Sequence, residues 1–366
     1  AELVRFISLN RGALRENRRY FGPESRLYRE RLLVEMSQSF MGGQQCELNP
    51  EIKDRLMDQP GGKQTIHDIL HGQKMLEIIK PVHSLEHIVL SDEVRKQLLD
   101  ACERYDSRVH ATLASWGLYD LQEGEPTTAA TSKLILLFHG APGTGKTLAS
   151  RVLASHLGRE IITTDISKIL DAFVGESEKH LKRLFSRYRR CVEQLERPPV
   201  LLLNECDQFL SSRSTTTGGR NESVNRMYHQ MQNILLEEIE SFKGVMIMTT
   251  NLIETLDPAF SRRIDLKLEF KRPTERERAQ LWRLHLSPKI PGAAAIDVDR
   301  LAASFDLTGG QINVIIRNAA TAAASRKEEE RRLTYDDLAT YATLEVQSQF
   351  ETERRQKRPL GFGAAA

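Results

Sequence analysis

The sequence predicts an α/β protein: a parallel, five-stranded sheet followed by an all-helical module, with a small, mainly helical region ahead of both. Three observations carry this. Between about residues 83 and 272, short continuous apolar runs alternate with amphipathic stretches, as in a parallel sheet covered by helices on both faces. A glycine-rich turn over 140–147 joins the first of those runs to the stretch after it. After Pro273 the β-type runs stop, and only helical periodicity remains.

Taken in order, residues 1–80 read as two or three short helices of an accessory region that binds a substrate or adaptor. Residues 5–39 are rich in Arg, Glu and Leu at helical spacing, interrupted at Gly22-Pro23, and Gly42-Gly43 and Pro60-Gly61-Gly62 punctuate the chain beyond them. Strands are expected at 134–138, 161–164, 200–204, 245–250 and 266–270, where the residues are apolar or β-branched. Helices are expected at 91–105, 146–157, 177–196 and 223–240. In the region 273–346, segments 275–286, 298–305, 310–325 and 335–345 read as the helices of a lid. Residues 347–366 read as a flexible tail. The expected division is therefore 1–80, 83–272, 273–346 and 347–366.

Composition narrows the function classes. The 366 residues include 52 Lys or Arg and 50 Asp or Glu, a net charge of +2. That balance argues against bulk nucleic-acid binding, which draws on a basic excess, although a local basic groove is compatible with it. No apolar run approaches the roughly 20 residues of a membrane-spanning helix. The start, Ala1-Glu2-Leu3-Val4-Arg5, is not a basic segment followed by an apolar one, so no signal peptide is expected, and the lack of an initiator Met is consistent with residues removed upstream. Cys46, Cys102, Cys191 and Cys206 lie far apart and form no CxxC. Four reduced thiols in a cytoplasmic protein are expected.

The sharpest chemical signal is Gly140-Ala-Pro142-Gly143-Thr144-Gly145-Lys146-Thr147, followed by Leu148. It fits G-x-x-x-x-G-K-[ST] between an apolar strand and a helix. Glycines let backbone N–H groups turn inward around a phosphate chain, and the helix N-terminus adds partial positive charge. Lys146 is expected at the β and γ phosphates, and Thr147 at Mg²⁺. The second signal is Val200-Leu-Leu-Leu-Asn204-Glu205, a buried strand ending in two polar residues. An Asp ordinarily stands first, ordering the metal's shell, and a Glu second, activating water. Asn204 can accept a hydrogen bond but brings no charge. A tolerated natural variant, an engineered substitution and a degenerate ATPase are the three readings. The first is favoured because the other expected residues are intact.

On these motifs, residues 83–346 resemble the AAA+ superfamily, in the AAA clade with FtsH, katanin and the pachytene-checkpoint type of remodeller, in a bacterial-type, single-ring form. The resemblance implies an ATP- and Mg²⁺-dependent ATPase working as a ring, hexameric by analogy. It implies that Asn251, in Thr249-Thr250-Asn251, is the first sensor, holding the attacking water. In Leu256-Asp-Pro-Ala-Phe-Ser-Arg262-Arg263-Ile-Asp265 it implies an arginine that reaches a neighbour's nucleotide. The family separates its two arginines, whereas these are adjacent, so either one could be the finger. Phe173-Val174-Gly175, before Glu176-Ser-Glu-Lys179, resembles a pore loop that grips extended polypeptide, and 211–221 resembles a second one. Gly309 and Gly310 match the second-sensor position beside the nucleotide. Ile88 and Val89 match the adenine-side stretch. Leu333-Thr-Tyr-Asp-Asp-Leu338 resembles a short strand and the capped last helix of the lid.

One competing pattern is His83-Ser-Leu-Glu86-His87, which fits an inverted zinc-protease motif. A zinc site needs it on one helix with a further ligand downstream. Pro81 precedes it and an adenine-side segment comes after it, so zinc is disfavoured. Three functions then compete. The first is a ring ATPase that remodels, unfolds or disassembles proteins through a pore. The second is a nucleic-acid motor or loader, disfavoured by the neutral charge and the Phe-Val-Gly loop. The third is a nucleotide-gated scaffold with weak turnover, motivated by Asn204.

Overall fold

The structure, a computed structural model, describes residues 33–36, 45–48, 65–70, 76–104, 107–117, 133–166, 176–210, 222–251 and 256–356. The chain divides into two units, Ala1–Lys63 and Gln64–Ala366. In the first unit, β1 (Leu33–Met36) runs antiparallel to β2 (Gln45–Leu48), with Leu33 opposite Leu48. The helical reading of 5–39 thus gives way to a strand at 33–36. Four residues are too few for a period to distinguish helix from strand, and cross-strand pairing decides.

The second unit opens with α1 (Ile66–Ile69) and β3 (Glu77–Ile79). The main strands are β4 (Lys133–Gly140), β5 (Ile161–Asp165), β6 (Val200–Asn204), β7 (Gly244–Thr250) and β8 (Leu266–Phe270). The sheet has six strands in the order β3-β5-β6-β7-β4-β8. The five expected strands are parallel, and β3 adds an antiparallel edge, with Ile78 opposite Ile162. The sheet therefore takes in residues ahead of 83. A three-residue Glu-Ile-Ile strand has no readable period of its own.

Around the sheet lie α2 (Asp92–Arg104), α3 (Ser107–Ser115), α4 (Lys146–His156), α5 (Glu176–Gln194), α6 (Asp207–Leu210), α7 (Glu222–Glu240) and α8 (Pro258–Ser261). Alternate residues of β4 enter opposite faces. Ile135 and Leu137 join Leu203 and Met248 against Leu184 of α5 and Leu235 of α7. Leu134, Leu136 and Phe138 join Leu202 and Ile247 against Leu98 of α2 and Val152 of α4. Burying each such side chain stabilises the fold by about 1.5–3 kcal/mol. With both faces covered, β6 and β7 turn polar only at their ends, at Asn204 and at Thr249 and Thr250, while β4 closes on Gly140 and β5 on Asp165. Parallel strands put those ends on one edge.

The helical region contains α9 (Glu275–His285), α10 (Val298–Ser304), α11 (Gly309–Ala324) and α12 (Tyr335–Gln356) around Trp282, Leu301, Ile312, Ile315 and Leu338. Thr274 with Glu277, and Thr308 with Gln311, form reciprocal capping boxes that start α9 and α11. The expected short strand at Leu333 is irregular chain, with one backbone bond from Leu333 N–H to Pro291 O at 2.8 Å. The last helix runs past 345, into residues that read as tail. Glu, Gln and Arg favour helix without leaving an apolar stripe. Among the described residues, no helix is long and apolar enough to cross a membrane. Cys102, Cys191 and Cys206 are free and buried, and burial pushes the first two thiols up to about 12 and raises the third as well.

Candidate active site

At the edge where the parallel strands end, a cleft of about 760 Å³ opens between the sheet and the helical region. Its floor is the glycine-rich turn. Gly140 ends β4 at φ 139°, and a Cβ there would stand 2.2 Å from the Phe270 carbonyl oxygen, so the approach of β8 requires glycine. Gly143 has φ 76°, and a Cβ on it would meet Thr308 Oγ1 at 2.6 Å. Gly310 N–H donates to Gly143 O at 3.0 Å, which ties the start of α11 to the turn. Gly145 is the N-cap of α4, so the first N–H groups of that helix open beside Lys146 and Thr147.

Lys146 is only 8% exposed. Its Nζ donates to Gly140 O at 2.7 Å, Ala141 O at 2.9 Å and Asn251 Oδ1 at 2.9 Å. All three acceptors are neutral. Burial lowers the ammonium's pKa, and the Asp207 carboxylate opposes that shift. A buried cation held by neutral oxygens suits an incoming phosphate. Asn251 is fixed from its other side by Asp207, whose Oδ1 accepts from Asn251 N–H at 2.7 Å and whose Oδ2 accepts from Nδ2 at 3.3 Å. Thr250 Oγ1 also donates to that carboxylate. Asp207 thereby orients the end of β7.

Asn204 closes β6. Its Nδ2 donates to Thr163 Oγ1 at 3.1 Å, and its Oδ1 accepts from Thr249 Oγ1 at 3.2 Å. Glu205 is exposed and sits at φ 56°, a left-handed conformation that is costly for glutamate. Its N–H reaches Thr249 Oγ1 at 3.3 Å. The turn from β6 into α6 thus presents the carboxylate at the edge of the sheet.

The cleft lining brings together Ile88, Val89, Pro142, Gly143, Thr144, Gly145, Lys146, Thr147, Leu148, Asn204, Glu205, Asn251, Gly309 and Gly310. Three expected site residues lie outside it: Gly140 shapes the turn from below, and Arg262 and Arg263 are elsewhere. Arg262 is exposed, whereas Arg263 donates to Ala259 O at 2.8 Å and pairs with Glu240. Phe173, Val174 and Gly175, and the candidate second loop 211–221, fall outside the described residues. The His83–His87 stretch spans a single 3-10 turn, Leu85–His87, with Ser84 Oγ 2.8 Å from His87 Nδ1.

Sequence reasoning missed several lining residues. Asp165 ends β5 as Asn204 ends β6, a signal that was readable as a polar residue closing an apolar run. Leu281, Leu284, His285 and Asn313 line the cleft from the lid side. No sequence signal marks them, because α9 and α11 meet the sheet only through the fold. Burial lowers the pKa of His285. It also lowers that of His139, where Glu269 opposes it and Lys146 and Lys267 add to it. Both rings therefore take up a proton less readily in the fold than in the unfolded chain, where a histidine does so near pH 6.5. The unfolded state binds more protons, so stability rises with pH and falls as pH drops below about 6.5. Melting temperatures from pH 7.5 down to 5.5 should fall, and His285→Gln should flatten part of that slope.

Residues 136–272 match the family described as ATPase family associated with various cellular activities (AAA). Residues 274–351 match the contractile injection system ATPase helical domain. The chain is 33% identical over 202 residues to the 26S proteasome regulatory subunit 8 homolog of Schizosaccharomyces pombe, covering 54% of this chain and 48% of that protein. It is 31% identical over 231 residues to 26S proteasome regulatory subunit 8 of Caenorhabditis elegans, covering 57% and 54%. It is 30% identical over 208 residues to Protein SAV of Sulfolobus acidocaldarius, covering 55% and 25%. The chain thus spans about half of the proteasome subunits' length and a quarter of the third relative's. The first family match takes in every strand end that borders the cleft; the part of the chain that builds the floor of the cleft is thus similar to the AAA ATPases.

Proposed function

We propose that this chain is an ATPase working as a closed ring, hexameric and cytoplasmic, that remodels, unfolds or disassembles protein assemblies by drawing polypeptide through a central pore. The observation that carries the reading is Arg262, which is exposed and does not line the chain's own cleft. An arginine in that place is available to a neighbouring subunit's nucleotide and not to the lining of its own cleft. ATP lies along the cleft with its phosphates over residues 143–147 and its base toward Ile88 and Val89. Lys146 exchanges carbonyl oxygens for phosphate oxygens. Thr147 would hold Mg²⁺, which would supply positive charge to the phosphate chain. Glu205 accepts the proton of the attacking water, and Asn251 positions that water. Arg262 stabilises charge on the neighbour's transferring phosphoryl group.

The helical domain is of the kind named for contractile injection system ATPases, and the partner proposed here is a protein component of such an apparatus. Near-zero net charge does not suit a nucleic-acid substrate. Asn204 favours one alternative, a nucleotide-gated scaffold with weak turnover. Steady-state phosphate release separates the two: wild-type turnover no faster than that of Glu205→Gln would favour the scaffold. The pore reading is tested by native mass with ATP and by Phe173→Ala. That variant should keep basal hydrolysis and lose ATP-dependent processing of its protein partner. A monomer at working concentration, or undiminished processing by the variant, would overturn it.

A further inference from the structure

A nucleotide-bound metal needs negative charge near its water shell, and Asn204 carries none. Both ends of the Asn204 amide are also engaged, by Thr163 and Thr249. The adjacent strand supplies the missing charge. Asp165 is the register partner of Asn204 in the parallel pairing of β5 with β6, and such strands lie about 4.8 Å apart. Thr163 and Asp165 are two residues apart on β5 and so project from the same face. Asn204 bonds to Thr163, which puts the Asn204 side chain on that face as well. Asp165 and Asn204 both line the cleft, with Thr147 and Glu205.

We propose that Asp165 provides the carboxylate of the metal's hydration shell, the charge having moved one strand sideways from its usual place at the end of β6. The inference rests on the reading of Thr147 as the Mg²⁺ ligand. It also accounts for Asn204. Two carboxylates side by side on neighbouring strands would repel, and one would be driven towards its protonated form. A neutral amide instead bridges Thr163 and Thr249 and adds no second negative charge beside Asp165. The site then keeps one metal-shell carboxylate and one water-activating carboxylate, Glu205.

The test is ATP affinity of the full chain, measured by calorimetry in excess Mg²⁺ and again in EDTA. Mg²⁺ should tighten ATP binding by the wild type. Asp165→Asn should lose about tenfold or more of that gain, the usual cost of removing an outer-shell partner, with affinity in EDTA unchanged. Asp165→Ser, a smaller replacement, should behave alike. The double variant Asp165→Asn/Asn204→Asp, with its carboxylate at the conventional position, should regain the Mg²⁺ effect. A wild-type-like Mg²⁺ response in both single variants would overturn the proposal and leave the metal reading standing. So would equal weakening in Mg²⁺ and EDTA, or a double variant with no recovery. A wild type indifferent to Mg²⁺ would end both readings.

Discussion

Arg262→Ala should reduce ATP turnover by about 10³-fold or more, the usual worth of an arginine finger, while leaving ATP affinity near wild type. The expectation comes from placement. Arg262 is exposed and away from its own cleft, so removing it takes nothing from nucleotide binding within one chain. Arg263 should behave differently. Its guanidinium holds the Ala259 carbonyl and Glu240 within the same chain, and an ion pair this exposed contributes at most about 1 kcal/mol. Arg263→Ala should therefore lower the melting temperature modestly and change turnover little. The reverse pattern would exchange the two roles.

Mixing experiments make the subunit boundary itself measurable. Arg262→Ala binds ATP but lacks a finger, while Lys146→Ala retains a finger but lacks phosphate binding. Equimolar mixing should recover turnover that neither variant shows alone, because some interfaces then hold one intact half from each. No recovery in rings shown by native mass to be mixed would remove the trans role.

Lys146→Ala should weaken ATP binding by about 100-fold or more. Two charge-assisted hydrogen bonds to phosphate are worth at least about 1.5 kcal/mol each, and every 1.4 kcal/mol is tenfold. The nucleotide-free protein should melt close to wild type. The lost bonds to Gly140 O, Ala141 O and Asn251 are offset by no longer burying an ammonium. The clearest readout is the stabilisation that ATP confers, which scales with the logarithm of ligand concentration over Kd. That shift should vanish in the variant. Retained ATP-induced stabilisation would contradict the role of Lys146.

Much of this architecture was legible in the residues. Leu134 to Phe138 and Val200 to Leu203 are apolar without alternation because the sheet is covered on both faces, and that demand is local enough to read. The glycine-rich turn was legible for the same reason: backbone geometry restricts Gly140 and Gly143 whatever surrounds them. The antiparallel edge strand at Glu77–Ile79 was hidden, since three residues gain their identity from the partner strand. The same holds for Leu33–Met36, which pairs with Gln45–Leu48 instead of continuing a helix.

By itself, then, the sequence determined the parallel sheet, the glycine-rich turn and the order of polar residues at the strand ends, because each depends on hydrophobic period or on the backbone freedom of particular residues. Only the tertiary structure decided which strand ends stand side by side. It set Asp165 beside Asn204, tied Asn251 to both Lys146 and Asp207, bound Arg263 within its own chain, and brought His285 to the cleft. Those pairings join residues far apart in the chain, and strand order and register, which fix them, leave no mark on any single segment.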